Sequence, residues 1–177
     1  YRQALAIREK ALRSKHVDVA LSLDGIAWLY VAQGEYGKAE PLFRRAFEIR
    51  QERFGSENIQ IVPSLNNLAN VYRSIGDYEK AKQLYERALS INEATLEPKH
   101  RYVGSSLANL GSLLLDGGEY ARAEVLLKRS LSIAEEVSGP EHPDVGVALD
   151  LLALVYRAIG NFDKAESFYK RALSIDE

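Results

Sequence analysis

The sequence predicts an all-α fold, a right-handed α-α superhelix (solenoid) of four helix-turn-helix repeats of 42 residues, preceded by a lone helix. Three observations support this prediction. A short phrase recurs at a fixed interval: GEYGKAE begins at residue 34, and GDYEKAK, GEYARAE and GNFDKAE begin at 76, 118 and 160. Apolar residues around each phrase are spaced three and four residues apart, as on one face of a helix. No stretch alternates apolar and polar residues as a strand does.

Each repeat is predicted to contain two helices, A and B, with the recurring glycine ending helix A. Leu65, Leu68 and Tyr72 lie on one face of such a helix A. A glycine suits the position after a helix, because that residue often adopts a left-handed conformation. Alanine follows each glycine by five residues and lets A and B approach closely. The glycines, the alanines and the aromatic residues expected to fill space between successive pairs are Gly34, Gly76, Gly118, Gly160, Ala39, Ala81, Ala123, Ala165, Tyr36, Tyr78, Tyr120 and Phe162.

The repeat template divides a single domain, 1–177, into five parts. Residues 1–15 match helix B alone, since Tyr1, Ala4 and Ile7 stand one period before Phe43, Ala46 and Ile49. Because the chain opens within the pattern and without methionine, we expect it to be a piece of a longer protein. The full repeats are predicted at 16–57, 58–99, 100–141 and, truncated, 142–177.

Glycine and proline mark the expected helix ends. Gly55 and Gly139 are predicted to end B helices, and Pro143 to begin a helix, where its missing N–H costs nothing. Pro41 and Pro63 fall near the starts of a B and an A helix. Each is expected to remove one backbone hydrogen bond or to bend its helix.

Composition excludes several classes of function. A formal net charge of -2 argues against nucleic-acid binding, which needs an excess of lysine and arginine. The absence of cysteine excludes disulfides, thiolate nucleophiles and cysteine-ligated metals. No apolar stretch is long enough to span a membrane, and the charged first 15 residues do not resemble a secretory signal. We therefore expect a cytoplasmic protein.

The patterns Leu-x-x-Leu-Ala-x-x-Tyr, Gly-x-Tyr and Tyr-x-x-Ala-Leu at these offsets resemble the tetratricopeptide repeat, whose usual unit is about 34 residues. With the stretches SLNNLANVY, KAEPLFRRAFEIR and EHPDV, the chain is similar to the long-helix subfamily of kinesin light chains and bacterial repeat proteins. The resemblance implies a non-catalytic scaffold that binds a peptide or partner segment in a concave groove lined by the A helices. The alternative is a structural or sensory spacer that orients neighbouring domains of a larger signalling protein.

The predicted groove positions precede each glycine by 13, 10, 9, 6, 3 and 2 residues. Asparagine and serine side chains, which both donate and accept hydrogen bonds, are concentrated there in the second and third repeats. In the family that the chain resembles, asparagine at the positions of Asn67 and Asn109 is associated with binding peptide main chain. Solvation of the helix, or bonds to neighbouring helices, is the alternative. The candidate residues are Asn66, Asn67, Asn70, Asn109 and Ser112, with Arg73 and Arg157 as the groove cations and Trp28 as either an anchor for the partner or a core residue.

The groove charges also narrow the partner. Asp24, Asp116 and Asp150 oppose the two arginines, and no groove position is lysine. A carboxylate clamp for a chaperone C-terminus, or a preference for strongly acidic peptides, is therefore not expected. The partner is predicted to be a protein or peptide, and neither nucleic acid nor a membrane.

No catalytic or cofactor site is predicted. His16, His100 and His142 occupy one repeat position, and stand too far apart to share a metal ion with bonds of about 2 Å. We interpret them as helix-start residues of the template, and expect no metal, no cofactor and no enzymatic activity.

The last B helix is predicted to have an uncovered apolar face that mediates self-association or contacts a missing capping segment. Its residues are Phe162, Ala165, Phe168, Tyr169 and Ala172.

Overall fold

A computed structural model describes residues 16–176 of the chain, and every regular element in that range is helical. The all-α prediction is therefore confirmed for these residues, while the predicted lone helix at 1–15 lies outside them. The helices alternate as A and B helices of four pairs, joined by short turns. They are α1 (Val17–Ala32), α2 (Tyr36–Phe54), a 3-10 turn (Ile59–Ile61), α3 (Val62–Ser74), α4 (Tyr78–Thr95), α5 (Arg101–Asp116), α6 (Tyr120–Ser138), α7 (Pro143–Ala158) and α8 (Phe162–Asp176).

The chain forms two compact units, Tyr1–Ile91 and Asn92–Glu177. In unit one, α1 packs on α2, and α3 packs on the first part of α4. In unit two, α5 packs on α6 and α7 on α8. Each unit thus repeats the same A-on-B packing, because each helix has an apolar face that a neighbour must cover.

Most predicted core positions are buried. The four template alanines are at most 4% exposed, and the template leucines at 23, 65, 107 and 149 are fully buried. The prediction was wrong for two of the aromatic residues, since Tyr78 is 44% and Phe162 is 67% exposed. Tyr36 and Tyr120, the equivalent first residues of the other two B helices, are half-buried, so the position in the repeat does not by itself determine burial.

The predicted helix ends are confirmed. The recurring glycines after the A helices have φ between +73° and +83°, and Gly55 and Gly139 after B helices have φ of +92° and +89°. These values lie in the region where a side chain would be strained.

The prolines occupy three different environments. Pro143 begins α7 as predicted, and Pro41 lies inside α2, which continues through it. The prediction for Pro63 was wrong, because α3 begins at Val62 and Pro63 therefore lies in its first turn. A backbone N–H has no intrahelical acceptor there, so this proline removes no hydrogen bond.

The three histidines are N-caps of A helices, which confirms their interpretation as helix-start residues. Their Nδ1 atoms accept hydrogen bonds from the backbone N–H two residues later, at 3.2 Å for His16 and 3.1 Å for His100 and His142. In the second repeat Asn58 has the same position and its Oδ1 caps Gln60 at 2.9 Å. The N-cap position of the repeat therefore requires a side chain that accepts a hydrogen bond, and both histidine and asparagine meet this requirement.

Replacing this acceptor should weaken the helix. We expect His100→Ala to lower the free energy of unfolding by about 1 kcal/mol, as for other lost N-caps. His100→Asn should retain most of the stability, since Asn58 at the equivalent position caps the 3-10 turn that precedes α3. Urea unfolding followed by circular dichroism measures both. Equal losses in the two variants would contradict a capping role.

Candidate functional site

In unit one, one candidate residue on α3 comes close to α1, since Asn67 lies beside the carboxylate of Asp24. Oδ2 of Asp24 accepts a hydrogen bond from Arg50, while Oδ1 is buried without a hydrogen-bond partner in residues 16–176. Burial raises the pKa of Asp24, and the hydrogen bond and charge of Arg50, with a smaller effect of the nearby Asn67 amide, oppose that increase. Asn66 is half-buried, and its Oδ1 is buried without a hydrogen-bond partner in residues 16–176.

The other two candidates on α3 lie one and two turns further along. Asn70 accepts a hydrogen bond of 2.6 Å from the Tyr85 hydroxyl on α4, so part of its side chain serves packing between the two helices. Arg73 lies half-buried in the last turn of α3. Of the second-repeat candidates, Asn67 is therefore the one that lies close to α1.

Trp28 has features of both a core residue and an anchor for a partner, the two alternatives that the sequence leaves open. Its ring packs edge-on against Phe43, with centroids 5.4 Å apart and an interplanar angle of 77°. Phe43 is fully buried, yet Trp28 itself is 44% exposed. One edge of the indole thus covers the core, and the rest of the ring is open to a contact.

In unit two, an open cavity of about 190 Å³ lies among α5, α6 and α7. Asn109 forms part of its wall, and no side-chain hydrogen bond engages Asn109 in the described part of the chain. Ser112 is buried, at 9% exposure, and does not line the cavity. Arg101 and Asp144 flank the cavity, with 3.7 Å between the guanidinium Nη2 and the carboxylate Oδ2. The lining residues are Arg101, Gly104, Ser105, Ala108, Asn109, Ser130, Ile133, Ala134, Val137, Ser138, Asp144, Val147 and Ala148.

Arg157 lies apart from this cavity. It is exposed in the last turn of α7, beside a shallow depression of about 340 Å³ that Phe162, Tyr169 and Leu173 also line. The structure therefore does not bring Arg157 together with Asn109.

The predicted apolar face of α8 is in fact two faces. Ala165 and Ala172 are buried, and Phe168 stacks on Tyr156 of α7 with centroids 5.4 Å apart. The prediction that these three residues are uncovered was wrong, because the helical period turns them toward α7. Phe162 and Leu173, at 67% and 60% exposure, form the open side. Self-association or capping through that side stays a prediction.

A tyrosine, a carboxylate and a cation form a similar cluster in each unit. In unit one, the Tyr72 hydroxyl donates to Glu40 at 2.7 Å and accepts from Arg44 at 2.7 Å. In unit two, the Tyr156 hydroxyl donates to Glu124 at 2.6 Å. Burial, followed by the bond to Glu40, raises the pKa of Tyr72. These clusters join a B helix to the next A helix, and their charges are already paired.

Within residues 16–176, no group of three or more acidic or histidine side chains could hold a metal ion. Within the same residues, no helix is both long and apolar enough to cross a membrane.

A family model of the tetratricopeptide repeat matches residues 1–52, 60–136 and 109–177. The chain belongs to the tetratricopeptide repeat family. No curated protein sequence is significantly similar to it.

Solved structures agree with this assignment. BtubC (BKLC) from P. vanneervenii superposes with a TM-score of 0.84 and 30% identity over 99% of this chain and 70% of that protein. A Podosopora anserina protein assigned to the kinesin light chains, with nearly identical TPR-like repeats, has a TM-score of 0.79 and 27% identity over 99% and 83% of the two chains. Aspartyl phosphate phosphatase F from Bacillus subtilis, at 21% identity and a TM-score of 0.76 over 90% and 40%, shares the fold alone.

The tetratricopeptide repeats of this chain contain a buried polar network that the sequence analysis missed. Arg50 on α2, only 7% exposed, donates to Asp24 on α1 and to Ser64 on α3, both at 2.5 Å. One guanidinium thus joins three helices of unit one. A charged side chain almost never lies this deep unless it is paired.

The next repeat has an uncharged version of this network. Asn92, 1% exposed, donates to the Ser106 hydroxyl at 2.9 Å and to the Tyr102 carbonyl at 3.2 Å. The signal for both was present in the sequence, since Arg50 and Asn92 each stand 16 residues after a template glycine. Comparing repeats at polar positions, and not only at apolar ones, would have identified them.

Proposed function

We propose that this chain is a non-catalytic interaction module whose A helices bind an extended peptide or a segment of a partner protein. The observation that carries the proposal is Asn109, whose amide lies unengaged at the wall of an open cavity. An amide group both donates and accepts, so it matches the N–H and C=O of a peptide main chain.

The position of Asn67 in unit one supports the same proposal. Asn67 and Asn109 each precede a template glycine by nine residues, and both are half-buried on an A helix. Asn67 lies beside Asp24, and its amide can both donate to and accept from a ligand. Tetratricopeptide repeats bind protein partners, which makes a peptide the natural ligand for an amide at this position of the repeat.

The charged residues near Asn67 and Asn109 favour recognition of an uncharged peptide main chain over recognition of a charged group on the ligand. The acidic and basic groups beside the two asparagines are engaged with each other, Asp24 with Arg50 and Arg101 with Asp144. A ligand charge would therefore have to compete with an existing partner. The absence of catalysis and the cytoplasmic location stay predictions of the sequence.

The test is a peptide selection followed by substitution. Peptides of about twelve residues selected from a random display library on the whole 177-residue chain supply the ligand. We expect Asn109→Ala and Asn67→Ala each to weaken the dissociation constant about tenfold, the equivalent of one well-formed hydrogen bond lost. Fluorescence anisotropy with labelled peptide measures this change.

Gln83→Ala is the matched control. Gln83 is an exposed amide on α4, away from the A helices, and its removal should leave affinity unchanged. Failure to select any peptide, or equal affinity of all three variants and the original, would favour the spacer alternative.

A further inference from the structure

The third repeat leaves open the space that a buried polar side chain occupies in the first. In unit one, Arg50 fills the space between α1 and α3 and is held by Asp24 and Ser64. The counterparts of Arg50, Asp24 and Ser64, two repeats later, are Ala134, Ala108 and Ala148. All three alanines line the cavity in unit two.

The size of the cavity follows from this replacement. Alanine ends at Cβ, so neither a guanidinium nor its partners project into the space among α5, α6 and α7. The resulting volume is about 190 Å³. An apolar cavity of about 150 Å³ already admits benzene. There is thus room for one side chain of leucine or phenylalanine size.

The lining favours an uncharged occupant. The carboxylate that pairs with Arg50 in unit one has no counterpart, since alanine stands at position 108. Two of the three serine hydroxyls in the wall donate to main-chain carbonyls, Ser130 to Gly104 at 2.8 Å and Ser105 to Arg101 at 3.1 Å. A charged occupant would lose its hydration without gaining a free counterion. Ile133, Val137 and Val147 supply apolar contacts instead.

We propose that this cavity is a specificity pocket for one uncharged apolar side chain of the bound peptide, beside the main-chain contact at Asn109. The proposal rests on the proposed function, to which it adds the class of side chain that is selected. Burial of a leucine-sized side chain corresponds to about a tenfold or larger gain in affinity.

Blocking the pocket tests the proposal. Ala134→Asn introduces the residue that the second repeat has at this position, and Ala134→Leu fills the space with apolar atoms. Ala121→Leu, at an exposed alanine of the same helix α6, is the matched control. Thermal unfolding establishes that each variant folds. We expect both substitutions at 134, and not the control, to weaken binding of the selected peptides at least tenfold.

A direct probe does not depend on those peptides. Methyl-labelled protein is titrated with N-acetyl-leucine methylamide, and in parallel with the aspartate and arginine analogues. We expect saturable methyl shifts of Ile133, Val137 and Val147 with the leucine probe alone, and their loss in Ala134→Leu. Equal shifts with the charged probes, or shifts that persist in both blocked variants, would overturn the pocket.

The two proposals fail in different ways. If peptide affinity depends on Asn109 but not on Ala134, the pocket is wrong and the peptide-binding function stands. If the leucine probe is blocked by Ala134→Leu while no selected peptide depends on Asn109, the main-chain site is wrong and the pocket stands.

Discussion

Arg50→Ala is expected to lower the free energy of unfolding by about 3 kcal/mol or more at neutral pH. The substitution leaves Asp24 buried without its cation and removes the donor to Ser64. A buried charge that loses its partner retains the cost of desolvation and loses the compensating attraction. Urea unfolding followed by tryptophan fluorescence reports this change, since Trp28 packs on α2 through Phe43.

The loss of unfolding free energy in Arg50→Ala should depend on pH. The pKa of Asp24 is raised above 3.8 mainly by burial, and Arg50 opposes that rise, so Arg50→Ala raises it further. A raised carboxyl pKa means that ionisation destabilises the fold, and that this cost disappears as pH falls through the folded-state pKa. The difference between Arg50→Ala and the original protein should therefore shrink as pH decreases toward the pKa of Asp24.

The double variant Arg50→Asn with Asp24→Asn is the control. It reproduces the pair that the next repeat carries, Asn92 and Asn66, and contains no buried charge. We expect it to be more stable than Arg50→Ala and to lack the pH dependence assigned to Asp24. A loss of equal size at every pH in both variants would contradict the account of an unpaired carboxylate.

Gly111→Val is expected to lower the free energy of unfolding by about 2 to 3 kcal/mol, through overpacking. Gly111 lies in α5 where α6 approaches closely, and a Cβ there would stand 2.8 Å from Leu127 Cγ and 2.9 Å from its Cδ2. Leu127 is fully buried, so it has little room to move away. Chemical unfolding measures the loss, and Gly111→Ala should show a smaller one.

Gly146→Ala, in the same unit, is expected to raise the free energy of unfolding, the opposite of the effect of Gly111→Val. Gly146 is buried within α7, yet a Cβ there would meet no atom within 4 Å. The alanine should therefore stabilise the helix by about 0.5 to 1 kcal/mol, the difference in helix propensity. If both glycine substitutions stabilise the protein, the close approach of α5 and α6 does not limit the side chain at 111.

Much of the fold could be predicted from the sequence because the same residue types recur at equivalent positions in several repeats. Leucine at 23, 65, 107 and 149 occupies the same repeat position and is fully buried in each pair, so one helical period explains four buried positions. The helix ends were equally predictable, since glycine alone enters the left-handed region without strain. Tyr78 and Phe162 departed from the pattern although Tyr36 and Tyr120, at the equivalent position, are half-buried.

The candidate site was less predictable. Asn67 and Asn109 were predicted from their position in the repeat. That position does not reveal whether the side-chain amide already hydrogen-bonds to a neighbouring residue. Asn70 bonds to Tyr85, Ser112 is buried and Arg157 lies at a separate surface. These differences arise from side chains of neighbouring helices, which are far away in sequence.

The sequence by itself determined the helix-turn-helix repeat, the core positions and the family, because backbone periodicity and glycine conformation are local and recur in every unit. Only the tertiary structure decided where space and unpaired polar groups remain. The cavity beside Asn109 exists because alanines from three helices converge at one point, as Ala108, Ala134 and Ala148 do. Convergence of this kind depends on how helices pack, and a linear pattern does not specify it.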